Sequence, residues 1–218
     1  MTPEQLAEVL RLHQAWVNDA AAGACADLSG ADLSNASLIG ANLTGAILSR
    51  VDLSSANLTG ANLTGAILSR ANLMGAKLTG ANLTGANLTS AYLARVDLTL
   101  ANLSGANLRR STLAGANLTR ANLACVNLIG ADLTDSDLTL VDLSTSDLSY
   151  ADASGVVLFR ANLTDVNLLD ADLSGANLTD SILTRTNLAG VNLSDAVLTG
   201  ASLTSADVSG ATLTGARR

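Results

Sequence analysis

The chain has 218 residues, a formal net charge of −7, and 48 % hydrophobic but only 2 % aromatic residues. That much apolar content excludes disorder from want of surface to bury, yet Trp16, Tyr92, Tyr150 and Phe159 are too few rings for a conventional globular core, which leaves Leu and Ala to fill a thin, repetitive interior. The acidic balance excludes a general nucleic-acid binder, which needs a basic footprint, and no run of about 18 apolar residues exists to cross a membrane.

The N-terminal segment comes first. Glu4, Glu8, Arg11 and Asp19 interrupt it, so it lacks the apolar core of a secretion signal, and the chain is expected to be soluble, reduced and cytoplasmic. Thr2-Pro3-Glu4-Gln5 offers a capping Thr, Pro at the first helical position and Gln three residues after the cap. Leu6, Val9, Leu10, His13, Trp16 and Val17 come next at helical spacing, and Gly23 lies beyond the last turn. This predicts a helix over about 3–21, within a cap and linker over 1–25, whose apolar face covers the open edge of the repeat region that begins at residue 26. His13 is the only histidine. A base or zinc ligand would need partners of matching type nearby, and none clusters, so it is read as part of the cap.

From Leu28 to Leu213 every fifth residue is Leu, except Ala153 and Val208, and the residue two before it is always Ala, Val, Ser or Thr. Period five suits neither template: on a helix the leucines would smear round all faces, and on one long strand they would alternate sides. The pattern resolves if each pentapeptide is a short extended side followed by a turn. The small residue and Leu then share the inward face, and the residues flanking Leu point outward. Backbone groups must pair between successive coils, giving an all-β solenoid over 26–218, and Pro is absent from this region, as a hydrogen-bonded ladder requires. GANLTGAILSR occurs at 40–50 and again at 60–70, and Leu100 and Leu140 share a position forty residues apart, which fits twenty residues per coil.

Tandem ADLSG, ANLTG and ANLSG over 26–215, about nine-tenths of the chain, resemble the pentapeptide repeat family. The resemblance implies a right-handed quadrilateral β-helix with four pentapeptides per coil. Thirty-eight repeats then make about nine and a half coils, roughly 45 Å long at about 4.8 Å per coil. The C-terminal coil has no counterpart to the N-terminal cap, so an end-to-end homodimer through it is expected.

Few residues offer chemistry. No Ser or Thr has a candidate His base, which excludes a hydrolytic triad and predicts a protein that is not an enzyme and needs no cofactor. Cys25 and Cys125 fall one hundred residues, or five coils, apart in one corner column, roughly 24 Å, too far for a disulfide. The threonines at 59, 79, 99, 119, 139, 179 and 199 form a column, but Lys77, Asp97 and Asp137 break the lattice that ice binding would need. Asn42, Asn62, Asn82, Asn102 and Asn122 form a second column, predicted to be an amide ladder.

Charge is uneven. Residues 131–207 hold twelve Asp against Arg160 and Arg185, a balance of −10, whereas the remainder is +3. Asp132, Asp137, Asp142, Asp147 and Asp152 fall in consecutive repeats and circle the rod once as an acidic belt. Just beyond it ADASGVVLFR breaks the rhythm. Ala153 replaces the central Leu, and Val157 and Phe159 point outward beside the corner residues Leu140 and Arg160. An apolar patch with Arg is a composition found at interfaces, although single exposed apolar residues are also ordinary. The Asp residues have an equally plain reading, since Asp and Asn interchange at this position throughout the repeat.

These features point to a non-enzymatic protein-interaction module or scaffold. The resemblance implies an alternative: some members of the family, which is abundant in photosynthetic bacteria, mimic B-form DNA, bind DNA gyrase and protect it from quinolones. Four coils span roughly 19 Å, over which B-DNA would carry about eleven charges at one per 1.7 Å, comparable to the balance of −10. This chain lacks the projecting loops and C-terminal dimerisation element usual in gyrase-protecting members, and its coil centres are Leu where theirs often are Phe.

Overall fold

A computed structural model describes residues 1–218. The helix α1 spans Pro3–Asn18 and opens with a reciprocal capping box: Gln5 N–H donates to Thr2 Oγ1 at 3.3 Å, and Thr2 N–H to Gln5 Oε1 at 2.9 Å. It ends three residues before the expected boundary. Asp19 is extended, with φ −152° and ψ 113°, and its carboxylate accepts Ala21 N–H at 3.0 Å, an Asx turn that competes with helix continuation. The chain then returns across the helix, where a Cβ on Gly23 would overlap the Leu12 carbonyl. Ala24 N–H donates to that carbonyl at 3.2 Å.

Beyond Asp27 the chain winds into a β-helix. Parallel bridges join every fifth residue, the one before each central Leu position, to the residue twenty positions on, from Asp27↔Ile47 to Val197↔Arg217. Every fifth residue from 30 to 215 has a positive φ, between 53° and 72°, and turns the corner. Twenty residues with a corner every five give each coil four sides.

The repeat Ala81–Gly85 shows why this winding satisfies the backbone. Ala81 N–H closes the preceding corner on Leu78 O at 2.9 Å. Asn82 N–H reaches back one coil to Ala61 O at 2.9 Å; Leu83 N–H and Gly85 N–H reach forward to Asn102 O and Ser104 O at 2.6 and 3.0 Å. Thr84 N–H, which no neighbouring coil serves, donates to the Asn82 side-chain Oδ1 at 3.1 Å. All five donors of the pentapeptide are thereby paired.

Inside, the central Leu residues and the small residues before them form one buried cluster of 62 side chains. Each buried Leu contributes about 1.5–3 kcal/mol, so stacked leucines offset the ordering entropy of the coils. Where Ser or Thr replaces Ala its hydroxyl finds a backbone acceptor, as Ser111 does on Leu108 O at 2.7 Å and Thr186 on Leu163 O at 2.7 Å. Ala153 is buried and keeps the register: its N–H meets Asp172 O at 2.8 Å, and it lines no cavity. The helix covers the first coil. Leu6, Val9 and Leu10 pack on the core, Trp16 and Val17 are half-buried, and His13 is fully buried. No helix is long and apolar enough to cross a membrane.

Candidate interaction surface

The belt residues Asp132, Asp137, Asp142 and Asp147 lie on the four successive sides, Asp152 returns to the side of Asp132 one coil on, and each is engaged by its own repeat. Their Oδ1 atoms accept the backbone N–H two residues on, from Thr134, Thr139, Ser144, Ser149 and Ser154, at 2.9–3.1 Å. Two also accept an amide from the next coil: Asn162 Nδ2 reaches Asp142 at 3.0 Å and Asn167 Nδ2 reaches Asp147 at 3.1 Å. The same Asx bond forms at Asn. This gives the Asp/Asn interchange its physical basis: both supply the oxygen, and Asp adds a charge.

Five further carboxylates stand on corners, and their neighbours are matched. Arg185 lies one coil from Asp165 and meets it through Nε at 2.7 Å, while Arg160 Nε meets Asp180 at 3.3 Å. The guanidinium beside Asp165 holds its carboxyl below the usual range. Asp135, Asp170, Asp180 and Asp195 each lie beneath a glycine one coil on.

Val157, Phe159, Leu140 and Arg160 come together as the register predicts. Leu140 N–H donates to Phe159 O at 2.9 Å, and Leu140 is 41 % exposed. The Arg160 guanidinium lies 4.9 Å from the centre of the Phe159 ring, a cation–π contact that leaves Phe159 only half-buried. Val157 is half-buried too. It has no side-chain oxygen, so Phe159 N–H lacks the Asx acceptor that the repeat supplies elsewhere.

The outward Thr and Asn columns serve the scaffold. Thr59, Thr99, Thr119 and Thr179 turn their hydroxyls onto the Asx oxygen of their own repeat at 2.6–2.7 Å. The amide oxygens of Asn42, Asn62, Asn82, Asn102 and Asn122 likewise go to N–H groups of their own repeats, so that column is a row of Asx turns where an amide ladder was expected. An amide-to-amide bond between coils occurs at Asn187–Asn167, 2.9 Å.

His13 Nδ1 accepts Ala26 N–H at 3.0 Å, taking the place of a preceding corner carbonyl, and its ring stacks on Trp16 at 5.5 Å. Nε2 makes no hydrogen bond. Burial pushes the His13 pKa down, and the Thr44 backbone carbonyl offsets part of that. Gln14 Oε1 extends the cap by accepting Asn42 Nδ2 at 3.1 Å. Cys25 and Cys125 are free thiols, and burial pushes the Cys25 thiol up. No three His, Cys, Asp or Glu side chains converge as a metal site requires.

One surface feature escaped sequence reasoning. Tyr92 and Met74, 60 % and 53 % exposed, line a cleft of about 520 Å³ together with Arg50, Arg70 and Asn72. The signal was present, since Tyr92 occupies an Asn/Asp position and Met74 a Ser/Thr one.

The family model "Pentapeptide repeats" matches the chain over residues 26–65, 66–105, 101–139, 142–180 and 181–217. No curated protein matches it. Among solved structures, HetL, a pentapeptide repeat protein involved in heterocyst differentiation regulation from the cyanobacterium Nostoc sp. strain PCC 7120, is 37 % identical; the match covers 92 % of this chain and 94 % of HetL, with a TM-score of 0.38. QnrB1, a plasmid-mediated fluoroquinolone resistance protein, is 19 % identical over 89 % of this chain and 91 % of its own, with a TM-score of 0.45. A pentapeptide repeat protein of the Arabidopsis thaliana thylakoid lumen is 28 % identical over 64 % and 69 %, with a TM-score of 0.27. With its family model matched along nearly the whole β-helix, the chain belongs to the pentapeptide repeat family.

Proposed function

We propose that this chain is a non-enzymatic, cytoplasmic protein-interaction scaffold: a right-handed quadrilateral β-helix of about nine and a half coils over 26–218, capped by residues 1–25. Its partner-contact surface comprises the belt Asp132, Asp137, Asp142, Asp147 and Asp152 and the patch Leu140, Val157, Phe159 and Arg160. The observation that carries this reading is local. At 156–160 the repeat gives up an Asx bond to present Val157 and Phe159, under an Arg, directly beside the belt. An interface composition is thus placed where the scaffold alone would favour Asn and Thr. The partner is a protein.

The test is affinity capture with the native chain and with a Val157→Asn/Phe159→Thr variant, which restores the repeat consensus and the missing acceptor. A protein retained by the native chain and lost with the variant is the expected result. Equal recovery by both overturns the assigned surface.

A second reading, a DNA-mimicking modulator of DNA gyrase, is favoured by the balance of −10 over residues 131–207. Retention of gyrase subunits, with relief of quinolone inhibition in a supercoiling assay, would establish it. A homodimer formed end to end is proposed for either reading, supported by the C-terminal rim, where Leu203 and Leu213 are half-buried and Val208 is exposed.

A further inference from the structure

The duplicated segment GANLTGAILSR places Arg50 and Arg70 on the same corner of adjacent coils, about 4.8 Å apart in the backbone. Like charges so stacked repel. The corner arginines Arg160 and Arg185 are matched by an Asp one coil away in their own columns; Arg95, Arg110 and Arg120 form no salt bridge but have no Arg one coil away on their corner, whereas Arg50 and Arg70 are both unpaired and stacked on each other.

A second feature coincides with the first. The residues preceding Leu48 and Leu68 are Ile47 and Ile67, which carry no Asx oxygen, so Ser49 N–H and Ser69 N–H have no acceptor in the chain. In the coils on either side the equivalent donors are occupied: Ser29 N–H by Asp27 at 3.0 Å and Thr89 N–H by Asn87 at 3.1 Å. The Ser49 and Ser69 hydroxyls lie 3.2 Å apart. An open cleft of about 530 Å³ is lined by Ser29, Gly30, Ser49, Arg50, Ser69 and Arg70, with no apolar side chain and no carboxylate.

We propose that this corner binds a phosphoryl group. Two guanidinium forks, a hydrogen-bonded hydroxyl pair with one proton to spare, and two amides without an acceptor belong to residues that line one cleft. A tetrahedral dianion has the charge to neutralise both arginines and enough oxygens to take the remaining donors. A carboxylate has half the charge and a planar pair of oxygens that one guanidinium already satisfies. The site lies in the basic half of the rod, apart from the Val157–Phe159 patch, and does not depend on that patch being a contact surface. The phosphoryl group comes either as free phosphate or carried on a phosphorylated protein segment.

The test is amide NMR during titration with inorganic phosphate at fixed ionic strength. Ser49 and Ser69 amides are expected to shift together and saturably, and chloride at equal ionic strength leaves them in place. Arg50→Gln/Arg70→Gln abolishes saturation. Ile47→Asn/Ile67→Asn keeps both arginines, restores the residue type of the ANLTG repeat and occupies the two amides from within; at least a tenfold loss of phosphate affinity is expected, with the remaining spectrum unchanged. A response to phosphate no greater than to chloride, or affinity unaltered by the Ile→Asn pair, overturns the proposal. A phosphoserine peptide that binds more tightly than phosphate identifies a protein-borne ligand, and equal binding identifies the free ion.

Discussion

The Asp135 carboxylate lies where a Cβ on Gly155 would have to go. The two are consecutive residues of one corner column, and the same overlap recurs for Asp170 beneath Gly190, Asp180 beneath Gly200 and Asp195 beneath Gly215. The one other corner Asp of the β-helix, Asp165, has Arg185 above it instead. Gly155 and Gly175 both have φ of +68°, but nothing lies within 4 Å of a Cβ on Gly175. Gly175→Ala should therefore cost only the left-handed conformation, about 1–2 kcal/mol. Gly155→Ala should cost about 0.5–1.5 kcal/mol more, because Asp135 must leave its rotamer. Asp135→Ser in the same chain should remove that excess, since Ser55 Oγ sits at an ordinary 3.8 Å from a Cβ on Gly75. Chemical denaturation of the three variants measures the difference.

The coil was legible because its determinants are local and repeated. Each Leu marks an inward position, and the copied Arg50 and Arg70 mark one full turn. The helix end was not legible: Ala20, Ala21 and Ala22 are strong helix formers, overridden by the Asp19 turn and by the close passage of Gly23 over Leu12. The role of Asn and Asp before Leu was also hidden. A count of charges treats Asp132 as an acid, whereas the geometry shows an acceptor for Thr134 N–H. Of the candidate surface, the register placed Phe159 beside Leu140 correctly, but the Arg160 contact that half-covers the ring depends on side-chain conformation and so had no signature in the spacing.

Scaffold and charge can therefore be separated. Replacing Asp132, Asp137, Asp142, Asp147 and Asp152 together by Asn removes five negative charges and keeps every Asx oxygen. The variant should retain its fold with a melting temperature close to that of the native chain. Replacing Asn82 by Ala instead leaves Thr84 N–H without its partner and should cost about 0.5–1.5 kcal/mol, whereas Asn82→Asp should be near neutral. Thermal melts followed by circular dichroism distinguish these outcomes.

The cap should respond to pH through His13. Its folded pKa lies below the ordinary 6.5, so as pH falls the unfolded chain takes up the proton first. The stability contributed by the neutral ring is full above about 6.5 and is lost as pH falls from there toward the depressed folded value. The protection factor of the Ala26 amide, its exchange rate relative to that of an unstructured amide at the same pH, should fall over that window. His13→Ala should abolish the pH dependence and, by leaving buried Ala26 N–H unpaired, cost about 1–3 kcal/mol at neutral pH. A protection factor that falls equally in the variant as pH falls would assign the effect to another group.

The opposite end of the rod should behave differently. Leu183 N–H is held by Ser202 O at 2.7 Å, but Leu203, Val208 and Leu213 N–H find no backbone acceptor, and Val208 is 47 % exposed. In dilute solution these three amides should exchange rapidly while Leu183 stays protected. A second copy stacked on this rim would supply both the acceptors and the apolar cover, so protection of the three amides should grow with concentration in step with a dimer in sedimentation. Val208→Glu buries a charge in that interface and should hold the protein monomeric without disturbing Leu183. Protection that rises with concentration in the Val208→Glu variant as well would place the contact elsewhere on the rod.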